Sequence, residues 1–153
     1  MIRVLFVCLG NICRSPMAEF LFKDMAQKRG EAGRYLAESA GTSSEEEGNP
    51  VYPPARAELA RHGISCAGKR ARPLTAADYA KYDYILAAES ANVRSILRIC
   101  GGDPEKKVHR ILDFSARPRD ISDPWYTGDF ERTYADLAEG LEGFFRLLDA
   151  KKG

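Results

Sequence analysis

The chain has 153 residues and a mass of 17.0 kDa, a length that one hydrophobic core serves, so residues 1–153 are read as a single domain. Apolar residues make up 44% and aromatic residues 10%, which excludes a disordered chain. Lysine and arginine total 23 against 22 acidic residues, a net charge of +1, which excludes the broad field that draws proteins to nucleic acid or anionic lipid.

The run Ile2 to Val7 is apolar, rich in β-branched residues and bounded by Gly10, as in a strand buried on both faces of a parallel sheet. Ser15 and Pro16 read as N-cap and first helical position, and Met17, Phe20, Leu21 and Met25 recur at helical spacing until Gly30. A second strand is expected over Tyr35 to Ala40, and a helix over Pro54 to Arg61 with Gly63 as its stop. Tyr82 to Ala88 reads as another buried strand, followed by a helix from about Asn92 to Ile99 that Gly101 and Gly102 end. A last short strand, His109 to Leu112, leads into a long loop from Asp113 to Asp129. The final helix is the clearest: Phe130, Tyr134, Leu137, Leu141, Phe144, Phe145 and Leu148 form one apolar stripe, with Asp129 available as its cap. Strands alternating with helices imply a parallel sheet covered on both faces, and such folds bind ligands at the carboxyl ends of their strands.

The longest uninterrupted apolar run, Val4 to Leu9, is far short of the ~20 residues that span a bilayer. Asn11 and Arg14 follow it at once and no small-residue cleavage site appears, so no secretory signal is read and a cytoplasmic location is expected. Cys8, Cys13, Cys66 and Cys100 lack the paired spacing of zinc sites and are too few for a disulfide scaffold. Reduced thiols, no metal and no cofactor are the expectation.

The chemistry concentrates in the loop Cys8-Leu9-Gly10-Asn11-Ile12-Cys13-Arg14-Ser15, which joins the first strand to the first helix. Successive loop N–H groups converge on a concave anion site there, and the helix N-terminus adds its own donors and the positive end of its dipole. Arg14 supplies a planar fork for two oxyanion oxygens, and Gly10 and Asn11 accept the positive φ of a tight cradle. Those donors stabilise a Cys8 thiolate, which makes it a nucleophile against a bound phosphate. The plainer alternative is a buried strand-end cysteine beside a solvated helix cation. A Walker A loop is absent.

VCLGNICRSPMAE resembles the opening signature of the low-molecular-weight protein tyrosine phosphatases. Ser39-Ala40-Gly41-Thr42, Arg61-His62-Gly63-Ile64, Tyr82-Asp83-Tyr84-Ile85 and Asp123-Pro124-Trp125-Tyr126 follow in that family's order, so the resemblance covers the whole chain. It implies a three-layer α/β fold of flavodoxin-like type, a four-stranded parallel sheet with helices on both faces. It also implies phosphotyrosine hydrolysis through a cysteinyl phosphate, with Cys8 as nucleophile, Arg14 as phosphate clamp and Asp123 as general acid. Phosphotyrosine proteins and small aryl phosphates are the implied substrates, inorganic phosphate the product and competitive inhibitor. No metal, nucleic acid or membrane is implied.

A thiolate that attacks phosphorus needs a proton for the departing oxygen, and a loop carboxylic acid suits that task. Asp113, Asp120 and Asp129 share the loop with Asp123; Pro124 and two aromatics favour Asp123, and the resemblance selects it. Trp125 and Tyr126 read either as pocket walls for a phenyl ring or as anchors of the loop. The resemblance also implies that the Ser15 hydroxyl donates to the Cys8 sulfur and that Cys13 traps an oxidised Cys8 as a disulfide. Asn11 is expected to hold the loop's shape, with Ser39 as partner. Leu9, Gly10, Ile12 and Cys13 complete the substrate loop. His62 reads as a dipole partner at a helix end, Cys66 and Cys100 as packing thiols, and Lys69-Arg70-Ala71-Arg72 as a solvated face or, alternatively, a patch that steers acidic phosphoproteins.

The chain departs from the family pattern at two places. Where relatives commonly carry an aromatic it has Ser43-Ser44-Glu45-Glu46-Glu47, with Tyr52 nearest, and the family's Met-Asp pair stands as Ala88-Glu89 with Asn92 retained. Two other functions compete: an arsenate reductase on the same fold, which needs closely spaced partner cysteines, and a non-enzymatic phosphoprotein-binding module, against which Cys8, Arg14 and Asp123 together argue.

Overall fold

The computed structural model describes residues 1–152. Four parallel strands, β1 (Ile2–Cys8), β2 (Tyr35–Gly41), β3 (Tyr84–Ala87) and β4 (Val108–Arg110), form one sheet in the order β2-β1-β3-β4. The central strand β1 is buried on both faces because its sequence is apolar at consecutive positions. Val4 and Phe6 point into one core and Leu5 and Val7 into the other. On the first face lie α1 (Arg14–Lys28), α2 (Pro53–Arg61) and α6 (Phe130–Lys152); on the second lie α3 (Asp78–Lys81) and α4 (Ser90–Cys100). The three-layer α/β architecture expected from the alternating pattern is the one observed.

Aromatic packing fixes the larger core. Phe22 of α1 stacks on Phe145 of α6 with centroids 4.8 Å apart and planes 8° apart, and meets Tyr35 edge-on at 5.3 Å. Helix α6 crosses the 3-10 turn Ile111–Phe114 at backbone contact: a Cβ on Gly143 would lie 1.9 Å from the Phe114 carbonyl oxygen. That position admits only glycine.

Several boundaries differ from the sequence reading. Helix α1 begins at Arg14 with Cys13 as its cap residue, so Ser15 lies inside the first turn and caps nothing. The last strand ends at Arg110, two residues before Leu112, because Ile111–Phe114 turns into the 3-10 segment that α6 packs upon. The loop before α6 carries a short helix, α5 (Pro124–Thr127), and α3 was not anticipated at all. Helix α4 starts at Ser90, where Glu89 and Asn92 form a reciprocal capping box. Asp129 does cap α6, accepting the Arg132 N–H at 2.9 Å.

The basic segment is not a solvated face. Lys69 reaches inward to the Ser39 carbonyl at 2.9 Å, and burial lowers its pKa; Arg72 pairs with Asp78 and donates to Tyr82. Only Arg70 of the three cations is exposed. Consecutive charges in one extended segment alternate sides, which composition does not record.

Candidate active site

The loop after β1 lies beside the strand pair β1 and β3, where the strand order reverses and crevices open in doubly wound sheets. Its carbonyls are held from outside. Those of Cys8 and Leu9 accept the N–H groups of Thr42 and Ser43 at 2.9 Å each, that of Ile12 accepts Tyr52 N–H at 2.9 Å, and that of Cys13 accepts Met17 N–H at 3.0 Å. A trans peptide directs its N–H opposite its C=O, so the N–H groups of Leu9, Gly10, Cys13 and Arg14 are turned toward the inside of the loop. An oxyanion cradle, as expected from the sequence, needs N–H groups left free in this way.

Two residues let the chain take this path. Asn11 sits at φ 58°, a left-handed conformation that asparagine tolerates, while Gly10, expected to share it, has ordinary φ. Gly41 is the second: a Cβ there would lie 2.8 Å from the Leu9 carbonyl oxygen, so glycine at the end of β2 lets the cradle pack against the sheet. The Asn11 amide then ties the loop down. Its Nδ2 donates to Ser15 Oγ at 2.8 Å and Ser39 Oγ at 3.0 Å, and its Oδ1 accepts the Arg72 N–H at 3.0 Å. Ser39 donates in turn to buried Glu19 at 2.6 Å.

Cys8, at the base of the cradle, is buried. Its sulfur lies 3.0 Å from Ser15 Oγ and accepts the Ser15 N–H at 3.4 Å. Arg14 is 2% exposed. Its guanidinium donates to Glu89 and to the Ile121 carbonyl (2.8 Å) and stands 3.5 Å from Asp123. Burial opposes its charge, but Cys8, Glu89 and Asp123 outweigh that and hold its pKa above the ordinary value. Burial, with Cys8 and Asp123 adding to it, pushes the Cys13 thiol up to about 12. The two cysteines of the loop are therefore unlike: one is met by donors, the other is desolvated.

The four candidate carboxylates separate by position. Asp113 accepts from Arg110 at the 3-10 turn, Asp120 accepts from Ser90 and Arg110, and Asp129 caps α6. Asp123 lines the pocket of about 190 Å³ that contains Cys8 and Arg14, and it accepts the Trp125 N–H at 3.0 Å as cap of α5. Trp125 and Tyr126 line the same pocket and remain 53% and 81% exposed, so they are walls of an opening more than anchors.

Four residues that the sequence singled out only as departures from the family pattern prove to belong to the site. Glu89 holds the Arg14 guanidinium, Tyr52 packs against Trp125 with centroids 4.8 Å apart, and Glu45 and Glu46 line the pocket rim. The first two follow from chain crossings that no local spacing signals. His62 Nε2 donates to the Glu58 carboxylate at 3.0 Å and the ring stacks on Tyr134 at 3.6 Å, so it packs beside α6. Cys66 belongs to the core on one sheet face and Cys100 to the other, an arrangement unsuited to a relay of cysteines.

A cysteine, an arginine and a carboxylate gathered at an oxyanion loop on a parallel α/β sheet define a cysteine-dependent phosphate-ester hydrolase site. Comparison with known proteins is specific: the model of the "Low molecular weight phosphotyrosine protein phosphatase" family matches residues 3–153, and the chain belongs to that family. It is 40% identical to the Bacillus subtilis low molecular weight protein-tyrosine-phosphatase YfkJ over 154 residues, 99% of each chain. The crystal structure of YfkJ superposes with a TM-score of 0.94, covering 100% of this chain and 98% of that one. The human low molecular weight phosphotyrosine protein phosphatase is 38% identical over 146 residues, 92% of each chain. A Drosophila arginine phosphatase also shares the fold, with a TM-score of 0.88 and 29% identity, covering 95% of this chain and 96% of that one.

Proposed function

We propose that this protein hydrolyses phosphotyrosine in proteins, and small aryl phosphates, through a phosphoryl group held on Cys8. The observation that carries the reading is the convergence of Cys8, Arg14 and Asp123 on one pocket that the loop residues Leu9, Gly10, Ile12 and Cys13 line. The phosphate oxygens sit among the N–H groups of the loop and the Arg14 guanidinium, which neutralise charge as it builds up. The Cys8 thiolate attacks phosphorus, the bond to the phenolic oxygen breaks, and that oxygen takes the proton of the Asp123 carboxyl. Water then attacks the phosphocysteine, Asp123 accepts its proton, the phosphorus–sulfur bond breaks, and inorganic phosphate and the thiolate are released. Phosphate inhibits competitively because it fits the same cradle. Leu9, Ile12, Trp125 and Tyr126 supply the apolar walls that suit a phenyl ring.

Cys13 is the resolving thiol in this reading. Peroxide converts the Cys8 thiolate to a sulfenic acid with release of hydroxide; the Cys13 thiol then displaces water to give the Cys8–Cys13 disulfide. Burial is the main cause that holds the Cys13 pKa up and the charge on Cys8 the second, so oxidation of Cys8 lifts only that second contribution. A catalytic thiolate of this kind works in a reducing compartment, the cytoplasm.

The test is hydrolysis of p-nitrophenyl phosphate in EDTA by wild type and Cys8→Ser, beside phosphotyrosine and phosphoarginine. Turnover of the two aryl substrates that falls by about 10⁴-fold or more in Cys8→Ser is expected. Turnover that survives the substitution removes Cys8 as nucleophile, and a preference for phosphoarginine removes the aryl assignment.

A further inference from the structure

The pocket that takes a phosphate dianion is lined by carboxylates out of proportion to its cations. Beside Arg14 stand Asp123, Glu45 and Glu46, and Arg14 is already engaged with Glu89 and Asp123. Neither Glu45 nor Glu46 forms an ion pair among the described residues. Glu46 stands over the cradle: a Cβ on Gly10 would touch its Cγ at 3.4 Å, and its carboxylate accepts from the neutral amide of Asn49 at 2.7 Å, which fixes its direction without cancelling its charge. The segment is itself held, with Glu45 N–H on Ser43 Oγ at 3.1 Å, Asn49 N–H on the Glu46 carbonyl at 2.9 Å, and Gly48 N–H on the Ala71 carbonyl at 2.8 Å.

Two carboxylates without cationic partners beside a dianion site, one of them fixed in direction, repel a bare phosphate ester. The repulsion becomes attraction when the substrate brings its own positive charge to the rim. We propose that Glu45 and Glu46 are specificity-determining residues that select phosphotyrosines flanked directly by lysine or arginine. The inference rests on the phosphotyrosine reading of the pocket and adds the neighbouring residues to it. Glu46 also lines the adjoining groove with Tyr52, Pro53 and Arg56, so it stands where a polypeptide leaving the pocket past Ile12 would run.

The experiment compares kcat/KM for phosphotyrosine peptides of one length that carry lysine, serine or glutamate on both sides of the phosphotyrosine, with p-nitrophenyl phosphate alongside. Wild type should prefer the lysine peptide to the glutamate peptide by about tenfold at low salt, with serine between, and the preference should shrink at high salt. In the double variant Glu45→Gln, Glu46→Gln the preference should fall below about twofold while kcat/KM for p-nitrophenyl phosphate rises, because the repulsion is gone. Equal hydrolysis of the three peptides by wild type, or a preference that persists in the double variant, overturns the proposal while the phosphatase reading stands. Failure of wild type to hydrolyse any of these esters overturns both.

Discussion

Between Cys8 and Ser15 the anchoring side chains are buried and bonded: Asn11 reaches three partners, Arg14 is closed in by Glu89 and the Ile121 carbonyl, and Ser15 lies on the Cys8 sulfur. The segment that carries Asp123 is built the other way. It offers one short helix, an aspartate capped onto its own backbone, and two largely exposed aromatics. The contrast follows from what each must do. Charge on phosphorus is stabilised by dipoles already in place, which requires a rigid and dry cradle. A proton has to be delivered to whichever leaving group enters, which requires a carboxyl at the open side of the pocket.

The loop side yields the largest expected effect. Asp123→Ala should lower kcat by roughly 10²- to 10⁴-fold, and the loss should grow as the leaving phenol becomes more basic, because nitrophenolate departs without help and tyrosine phenolate does not. A series of aryl phosphates measures it. A loss that is equal across the series would leave Asp123 as a structural cap and move the proton to Asp120 or Asp129.

The cradle side should respond in stability as well as in rate. Asn11→Ala strips the partners from buried Ser15, Ser39 and the Arg72 N–H and puts alanine at positive φ, so about 2–4 kcal/mol of folding stability should go, read by urea unfolding. Asp123→Ala, at the half-exposed segment, should cost less than about 1 kcal/mol in the same assay. Comparable losses at the two positions would dissolve the contrast between a rigid cradle and an open acid segment.

The smallest effect is expected from Cys13→Ser. Its turnover should remain within about threefold of wild type, since a thiol with a pKa pushed up to about 12 is protonated at neutral pH and takes no part in the displacement. After mild peroxide and then thiol reductant, wild type should recover and Cys13→Ser should not. Equal recovery removes the protective disulfide.

How far the sequence could be read follows the same division. The strand, the loop and the helix start after Cys8 were visible because apolar run, Gly-Asn and Ser-Pro are local signals, and α6 was visible because its stripe is long. What escaped is what distant segments bring together. Ser15 has the type and place of a helix cap but does not act as one, because the helix begins one residue before it; the contact of its hydroxyl with the sulfur is the part that the family resemblance implied. Lys69 and Arg72 looked solvated because no spacing rule reports that an extended segment turns a lysine onto Glu19 and Ser39. Glu89 and Gly41 act at chain crossings, where one residue's role is set by an atom more than thirty positions away. The family resemblance separates Asp123 from its three neighbours, and of the four it alone lines the pocket with Cys8.

The central claim is that Cys8 carries the phosphoryl group, and rapid alkaline quenching of Asp123→Ala during turnover of p-nitrophenyl phosphate tests it most directly. Intact-mass and peptide analysis should find one phosphoryl group per chain, on the peptide that contains Cys8, with its amount falling when the sample is brought to acidic pH, where the thiophosphate bond hydrolyses. Steady turnover with no phosphorylated peptide, or with the phosphoryl group on another residue, would contradict the account.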